Sequence, residues 1–123
     1  MNKFEYSKIY AIICKTTNAI YIGSTYTNLK VRLCKHNTDL KGYLGINKKY
    51  RNYRSSFEVL FNNNYDIILI EDYPCNSKRE LEERESLYIK KYRSENINIV
   101  NSRLPVKCNL DDYSSLSSCP SLM

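Results

Sequence analysis

Two short runs of β-branched and aromatic residues near the N-terminus predict the first two strands. The run at 8–14 has the sequence KIYAIIC and the run at 19–23 has the sequence AIYIG. The four residues KTTN lie between them, which is enough for a tight connection between neighbouring strands. We therefore expect Tyr10 and Tyr21 to lie on one small sheet.

A helical pattern follows from about residue 28 to residue 40. The polar residues TYTN precede it and supply candidate caps. The leucines that share its apolar stripe are Leu29, Leu33 and Leu40. His36 lies on the same stripe, and Arg32 borders it one turn earlier. This pattern predicts that Arg32 and His36 come close to the two tyrosines.

The middle of the chain alternates between loop and core patterns. Gly42 and Gly45 interrupt the helical pattern, and NKKYRNYR is typical of a loop. SSFEVLF at 55–61 predicts a short capped helix with apolar residues at helical spacing. YDIILIEDY at 65–73 is rich in β-branched residues and predicts a buried central strand, which Pro74 ends.

The last helix places an acidic side chain on an apolar face. Ser77 and Glu80 form a capping box, and the helix should reach about Arg93. Glu85 falls in the middle of the face that must pack on the sheet. Its neighbours on that line are Leu81, Tyr88 and Tyr92. Glu82 and Glu83 fall off the centre of this face, where solvated charges are expected.

A buried carboxylate costs several kcal/mol unless it has a partner. Two explanations of Glu85 stay open at this point. It forms a buried ion pair, for instance with Arg32, or it binds a divalent metal ion across the sheet from the tyrosines.

Length and composition indicate one intracellular globular domain. The chain has 123 residues, 42% of them hydrophobic, and contains neither a long apolar run nor the layout of a secretion signal. The predicted domain covers 1–105, and the Ser-rich segment 106–123 is expected to be a mobile tail without chemistry. Five cysteines without a CxxC pair favour reduced thiols over disulfides or zinc. Cys34 and His36 point to different helix faces, which disfavours a shared metal.

Basic residues concentrate in one block of the chain. The net charge is +6, and residues 29–54 carry eight Lys or Arg against one acid, Asp39. Three tyrosines are interleaved with these cations. Such a block suits a phosphate backbone with rings that stack on bases, and it also fits a solvated face whose tyrosines belong to the core. A nucleic-acid partner is the favoured interpretation.

The two tyrosine-bearing strands resemble the motifs of the GIY-YIG nuclease family. KIY at 8–10 matches the first motif, except that Lys8 stands where the family name has glycine. YIG at 21–23 matches the second motif completely, and GST follows it. Glycine at the first position mainly permits a close backbone approach, so a lysine there either disturbs packing or adds a phosphate contact.

The resemblance continues through both helices and covers about residues 7–105. LKVRLCKH carries Arg32 and His36, and LEERESLYIKKY carries Glu85 at the position of the family's metal-binding glutamate. Asn101 matches an asparagine that family members carry after this helix. The resemblance implies an α+β fold, with a small, mostly antiparallel three-stranded sheet flanked by helices, in a small free-standing single-domain member.

The resemblance also implies roles in metal-dependent DNA hydrolysis by one-step attack of water. Tyr10 would be the general base or would orient the water, and Tyr21 would contact the phosphate or the water. Arg32 would neutralise developing charge, and Glu85 would hold one Mg²⁺ or Mn²⁺. His36 would help to activate Tyr10 or the water, or else it is a satisfied core histidine.

The chemistry of a phenol sets a condition on this mechanism. Its ordinary pKa of about 10 makes it a poor base at neutral pH unless positive charge lowers that value. Lys8, Arg32 and the metal ion are the available sources. Asn101 would fix a phosphate or a water, or it caps or closes a loop.

The leading prediction is a DNA endonuclease, with nicking and branched or damaged DNA as candidate modes. It would be a monomer or weak dimer, would contact no membrane and would need no small-molecule cofactor beyond the metal ion. The predicted substrate contacts are Lys8, Lys35, Lys41, Lys48, Lys49, Arg51, Arg54 and Asn101. An inactive nucleic-acid-binding module and a partner-binding protein with a buried ion pair are the alternatives. The bias toward Asn, Lys, Ile and Tyr suggests an AT-rich coding sequence, and the resemblance to small free-standing family members suggests a viral or mobile-element source.

Overall fold

Three strands form one antiparallel sheet in the computed structural model. They are β1 (Lys8–Cys14), β2 (Ile20–Thr25) and β3 (Tyr65–Asp72), in the order β2-β1-β3. The structure describes residues 2–45, 55–61, 63–95, 97–101 and 104–105. The fold class predicted from the sequence is confirmed. The prediction of a buried central strand at 65–73 is wrong, because β1 is the central strand that pairs with both others, and β3 lies at the edge with only Ile70 buried.

The register of the sheet sets the relative positions of the two tyrosine motifs. Tyr10 lies opposite Gly23 and Ile12 lies opposite Tyr21 in the β1–β2 pair. Asn18 takes a φ of 63° in the connecting turn, a conformation that asparagine tolerates better than most residues. β2 extends two residues beyond the predicted end of its strand.

Three α-helices flank the sheet: α1 (Leu29–Leu44), α2 (Phe57–Leu60) and α3 (Lys78–Ser94). α1 runs four residues beyond its predicted end and passes through Gly42, where an interruption was predicted. A single glycine costs a helix only about 1 kcal/mol, and packing of Tyr43 on Phe57 helps to hold this last turn. A 3₁₀ turn at Lys3–Tyr6 precedes β1 and was not predicted.

The core has one cluster on each face of the sheet. On the first face, β1 and β2 pack against α3. The buried residues of this cluster include Ile9, Ala11, Ile20 and Ile22 from the strands and Leu81, Tyr88, Ile89 and Tyr92 from the helix. The second face packs against α1 and α2, and its residues include Tyr10, Ile12, Cys14, Leu40, Phe57, Val59 and Leu60. α1 and α3 therefore pack on opposite faces of the sheet.

The segment after α3 covers part of the β2 edge. Ile20 exchanges backbone hydrogen bonds with Asn98 and Val100. Asn101 continues this pairing with its side chain, as its Nδ2 donates to the Ile22 carbonyl and its Oδ1 accepts from the Ile22 N–H, at 2.7 and 2.9 Å. In the described part of the chain, no helix is both long and apolar enough to cross a bilayer. The predicted tail at 106–123 lies outside the described residues.

Candidate active site

Tyr10, His36 and Arg32 form a bonded group between β1 and α1. The phenol oxygen of Tyr10 lies 2.6 Å from Nε2 of His36 and accepts a hydrogen bond from Nε of Arg32 at 3.2 Å. Tyr10 and His36 are buried. The predicted convergence of these three residues is thus present in the structure, and His36 is both a core histidine and a direct partner of Tyr10.

Gly23 gives the Tyr10 phenol the space that it occupies. A Cβ atom at position 23 would lie 2.4 Å from Cζ and 2.4 Å from the oxygen of Tyr10. Atoms at that distance overlap, so any side chain at position 23 would displace the phenol. The glycine of YIG is explained by this close approach across the β1–β2 pair.

Ser56 supports His36 from the other side, a contact that the sequence did not predict. Its Oγ lies 3.1 Å from Nδ1 of His36, and both side chains are buried. Ser56 stands at the N-cap position of α2 but makes no capping hydrogen bond with its side chain. The capped helix predicted from SSFEVLF is corrected in this respect, because the hydroxyl binds the imidazole instead.

The second phenol, that of Tyr21, faces a cavity. Its ring centre lies 5.3 Å from that of His36 and 6.5 Å from that of Tyr10. Tyr21 is half-buried and lines a cavity of about 530 Å³, whereas Tyr10 is fully buried and does not line it. Tyr21 is therefore the phenol in direct contact with this space.

Glu85 reaches the same cavity from α3, on the other face of the sheet. Its carboxylate is 8% exposed and accepts a hydrogen bond from the Ser24 hydroxyl at the end of β2. Arg32 also lines the cavity, but no ion pair joins it to Glu85 within the described residues. The buried ion pair with Arg32 that the sequence left open is absent, because Arg32 is bonded to Tyr10.

The surroundings of Glu85 favour its protonated form. Burial raises the pKa of the Glu85 carboxyl to about 7, the Ser24 hydroxyl opposes this shift, Glu82 adds to it and Arg32 opposes it. Glu82 is half-buried and lines the cavity, which corrects the prediction that it is a solvated charge. Glu83 is exposed as predicted.

The surroundings of Tyr10 also favour its protonated form. Burial raises the pKa of the Tyr10 phenol, the neighbouring Tyr21 adds to the effect and the guanidinium of Arg32 opposes it. Lys8 was a predicted source of positive charge here. Its ammonium instead donates to the carbonyl oxygens of Tyr6 and Thr27 at 2.8 and 3.0 Å. Lys8 therefore does not lower the pKa of Tyr10, and lowering of this pKa by a bound metal ion stays a prediction.

Besides Lys8, the predicted substrate-binding residues divide into three groups. Lys35 lines the cavity, and Lys41 is exposed on α1. Asn101 holds the backbone of β2, the geometry of the loop-closing alternative, and its contact with a phosphate stays a prediction. The others, Lys48, Lys49, Arg51 and Arg54, lie outside the described residues.

The donors at Glu85 fit a hard divalent ion that keeps most of its waters. The Glu85 carboxylate, with that of Glu82 beside it, borders a cavity with room for a hydrated ion, which is the kind of site that Mg²⁺ accepts. Within the described ranges, no three His, Cys, Asp or Glu side chains form a metal cluster. Both nitrogens of His36 are occupied by Tyr10 and Ser56, so the Cys34–His36 pair remains disfavoured as a metal site.

Comparison with known proteins identifies the class of this fold and site. The GIY-YIG catalytic domain matches residues 6–98, so the chain belongs to the GIY-YIG nuclease family. A similar solved structure is that of the catalytic domain of the homing endonuclease I-TevI, with a TM-score of 0.55 and 28% identity. The alignment covers 79% of this chain and 98% of that one. The search of curated proteins gave no match. The family resemblance inferred from the motifs is confirmed.

Proposed function

We propose that this protein is a metal-dependent DNA endonuclease that hydrolyses phosphodiester bonds by a single attack of water. The observation that supports this most is the meeting of Tyr21, Arg32 and Glu85 in one cavity, although they come from both faces of the sheet. A buried carboxylate is costly unless a cation or metal ion balances its charge, and the one hydrogen-bond partner of Glu85 among the described residues is a neutral serine hydroxyl. Similarity to the catalytic domain of a homing endonuclease agrees with this proposal.

Arg32 would bind the phosphate, while its hydrogen bond to Tyr10 fixes the orientation of the guanidinium. Its Nε donates to Tyr10, and the described residues provide no acceptor for its two terminal nitrogens. A guanidinium held in this way can present both terminal N–H groups to two phosphate oxygens. Tyr21, beside it, would donate a hydrogen bond to the phosphate or to the attacking water.

Tyr10 would take the proton of the attacking water and pass its own proton to His36. The 2.6 Å contact provides this path: a proton moves from water to the phenol oxygen as the phenol proton moves to Nε2. This exchange avoids a free phenolate, which the raised pKa of Tyr10 disfavours. Because Tyr10 is fully buried, the water must enter between Tyr21 and Arg32, its neighbours that line the cavity.

Glu85 would hold the metal ion, with water molecules as its remaining ligands. When bound, Mg²⁺ or Mn²⁺ supplies Lewis-acid stabilisation of the leaving 3′ oxygen. Ser24 would orient the carboxylate by donating to Oε1. The other carboxylate oxygen has no hydrogen-bond donor in the described part of the chain, which leaves it for the ion.

The alternative is a nucleic-acid-binding module that keeps the fold without the chemistry. Lys8 was its only support in the sequence. The structure weakens that support, since the Lys8 ammonium is bound to two backbone carbonyls and leaves Tyr10, His36 and Arg32 bonded to one another.

Plasmid cleavage separates the two functions. Purified protein should nick or linearise supercoiled plasmid with Mg²⁺ or Mn²⁺ and stop when EDTA is added. Tyr10→Phe should lose cleavage and keep its DNA affinity in EDTA. DNA binding without cleavage at any metal concentration would favour the inactive module, and cleavage that persists in EDTA would contradict the metal requirement.

A further inference from the structure

The 3₁₀ turn at Lys3–Tyr6 is an ordered addition in front of the family domain. The family match begins at residue 6, so most of this turn lies outside it. Chain ends are usually mobile unless they are tied down. Here Nδ2 of Asn2 donates to the Cys75 carbonyl at 2.7 Å, and the Cys75 N–H donates to the Phe4 carbonyl at 3.1 Å. The turn is thereby fastened beside the start of α3.

The turn builds an aromatic and cationic group together with Tyr26. The rings of Phe4 and Tyr26 meet edge to face with their centres 5.6 Å apart. Nζ of Lys3 lies 5.0 Å from the centre of the Tyr26 ring and 5.4 Å from that of Phe4. Tyr26 is 42% exposed, more than a ring that served only the core. We call these three residues the turn cluster.

The turn cluster borders the same cavity as the catalytic residues. All three of its members line that cavity together with Arg32 and Glu85. The two rings hold the Lys3 ammonium at the cavity, and no hydrogen-bond acceptor for it is found among the described residues. The Lys3 ammonium has three N–H groups that can donate hydrogen bonds, and the two rings hold its position, so it can bind an anion.

The charge of the cavity favours a polyanionic strand that extends past the reaction centre. Two carboxylates line it, one of them Glu85 with its raised pKa. Its cationic side chains outnumber them and are Lys3, Arg32, Lys35 and Lys78. When one phosphate of a DNA strand binds Arg32, the neighbouring nucleotides of that strand would lie along the residues that line the cavity.

We propose that the turn cluster is a subsite for an unpaired nucleotide of the DNA strand, next to the phosphate that is cleaved. The base stacks on Tyr26, and the Lys3 ammonium binds the adjacent phosphate. A base can stack on a side chain only where no neighbouring base already stacks on that face, so the subsite selects DNA with a flap, gap or other unpaired and unstacked nucleotide. This inference rests on the proposed function and names its substrate class.

Binding in EDTA tests the subsite without any need for activity. The probes are a fluorescein-labelled 12-nucleotide single strand and the duplex of the same sequence. Tyr26→Leu should raise the Kd for the single strand about tenfold and the Kd for the duplex less than twofold. Lys3→Gln should reduce the slope of log Kd against log salt by about one for the single strand. Tyr26→Phe should restore strand binding.

Two matched controls come from the same chain. Tyr6 is an exposed tyrosine on the 3₁₀ turn that does not line the cavity, and Lys15 is an exposed lysine paired with Asp66 at the far end of β1. Tyr6→Leu and Lys15→Gln should leave both Kd values within about twofold. Equal losses in Tyr26→Leu and Tyr6→Leu, or equal losses for both probes, would overturn the subsite. If the wild-type protein binds neither probe, DNA is instead refuted as the substrate.

Discussion

The imidazole of His36 lies between two hydroxyl groups, with Tyr10 at 2.6 Å from Nε2 and Ser56 at 3.1 Å from Nδ1. Tyr10 can donate to Nε2 only if the ring proton sits on Nδ1, where Ser56 can accept it. Ser56 thus supplies an acceptor for the Nδ1 proton in the tautomer that lets His36 receive the phenol proton. It is a positioning residue, 20 residues from His36 in sequence.

Ser56→Ala should slow plasmid cleavage about tenfold and destabilise the fold by only about 1 kcal/mol. The reason is that it removes one buried hydrogen bond and with it the acceptor for the Nδ1 proton. In a Tyr10→Phe background the same substitution should cause no further loss of rate, since the proton path is already broken. Ser55→Ala is the neighbouring control. Equal losses in both backgrounds would show that Ser56 acts only on folding.

Gly23→Ala should reduce cleavage at least tenfold and lower the free energy of unfolding by about 1–3 kcal/mol. The added methyl group overlaps the Tyr10 phenol and would pull it away from His36. In Tyr10→Phe the cost in stability should be smaller, because one of the two overlapping atoms is gone. Chemical denaturation of the four proteins measures this coupling. A cost that is unchanged in Tyr10→Phe would contradict the explanation of YIG.

Stability should fall as pH rises from about 4.5 to about 7, because the native state keeps the Glu85 proton over that interval and the unfolded state does not. The effect is on the order of 3 kcal/mol at about 1.4 kcal/mol per pKa unit. Glu85→Gln should remove this loss and be more stable than wild type at pH 8 in EDTA. Denaturation at pH 5 and pH 8 tests it, with Glu83→Gln as the exposed control. Parallel curves for wild type and Glu85→Gln would contradict the raised pKa.

In Glu82→Gln, the increase of the cleavage rate with pH should begin at a lower pH than in the wild-type protein. Its negative charge helps to raise the pKa of Glu85, so its removal favours the carboxylate form that can bind metal. The rate at pH 6 with Mg²⁺ below saturation should therefore rise about twofold. A fall in rate at every pH, together with weaker binding of Mn²⁺, would instead show that Glu82 is itself a ligand.

The sequence predicted the elements and the principal site because these depend on local patterns. Hydrophobic periodicity places Glu85 on a packed face, and strand length places Tyr10 and Tyr21 on one sheet. The predicted strands and helices are present with shifts at their ends, but β3 lies at the edge of the sheet and not at its centre, a position that the local pattern does not determine.

The sequence did not predict the contacts between side chains that lie far apart along the chain. Ser56 resembles an ordinary helix cap and becomes a partner of His36 only when α2 packs on α1. Glu82 lies off the packed face on a helical wheel, yet it borders a cavity at the edge of β2. The hydrogen bonds of the Lys8 ammonium depend on which backbone carbonyl groups the 3₁₀ turn brings near it. Such contacts arise from tertiary packing and leave no periodic signal.

The most direct test compares metal-dependent cleavage by Glu85→Gln and Glu83→Gln at pH 8. The two substitutions remove the same charge from one helix, but only Glu85 borders the cavity with Arg32 and Tyr21. We expect Glu85→Gln to lose cleavage by at least a thousandfold while it stays folded, and Glu83→Gln to cleave at the wild-type rate. Wild-type cleavage by Glu85→Gln would contradict the central role of this carboxylate.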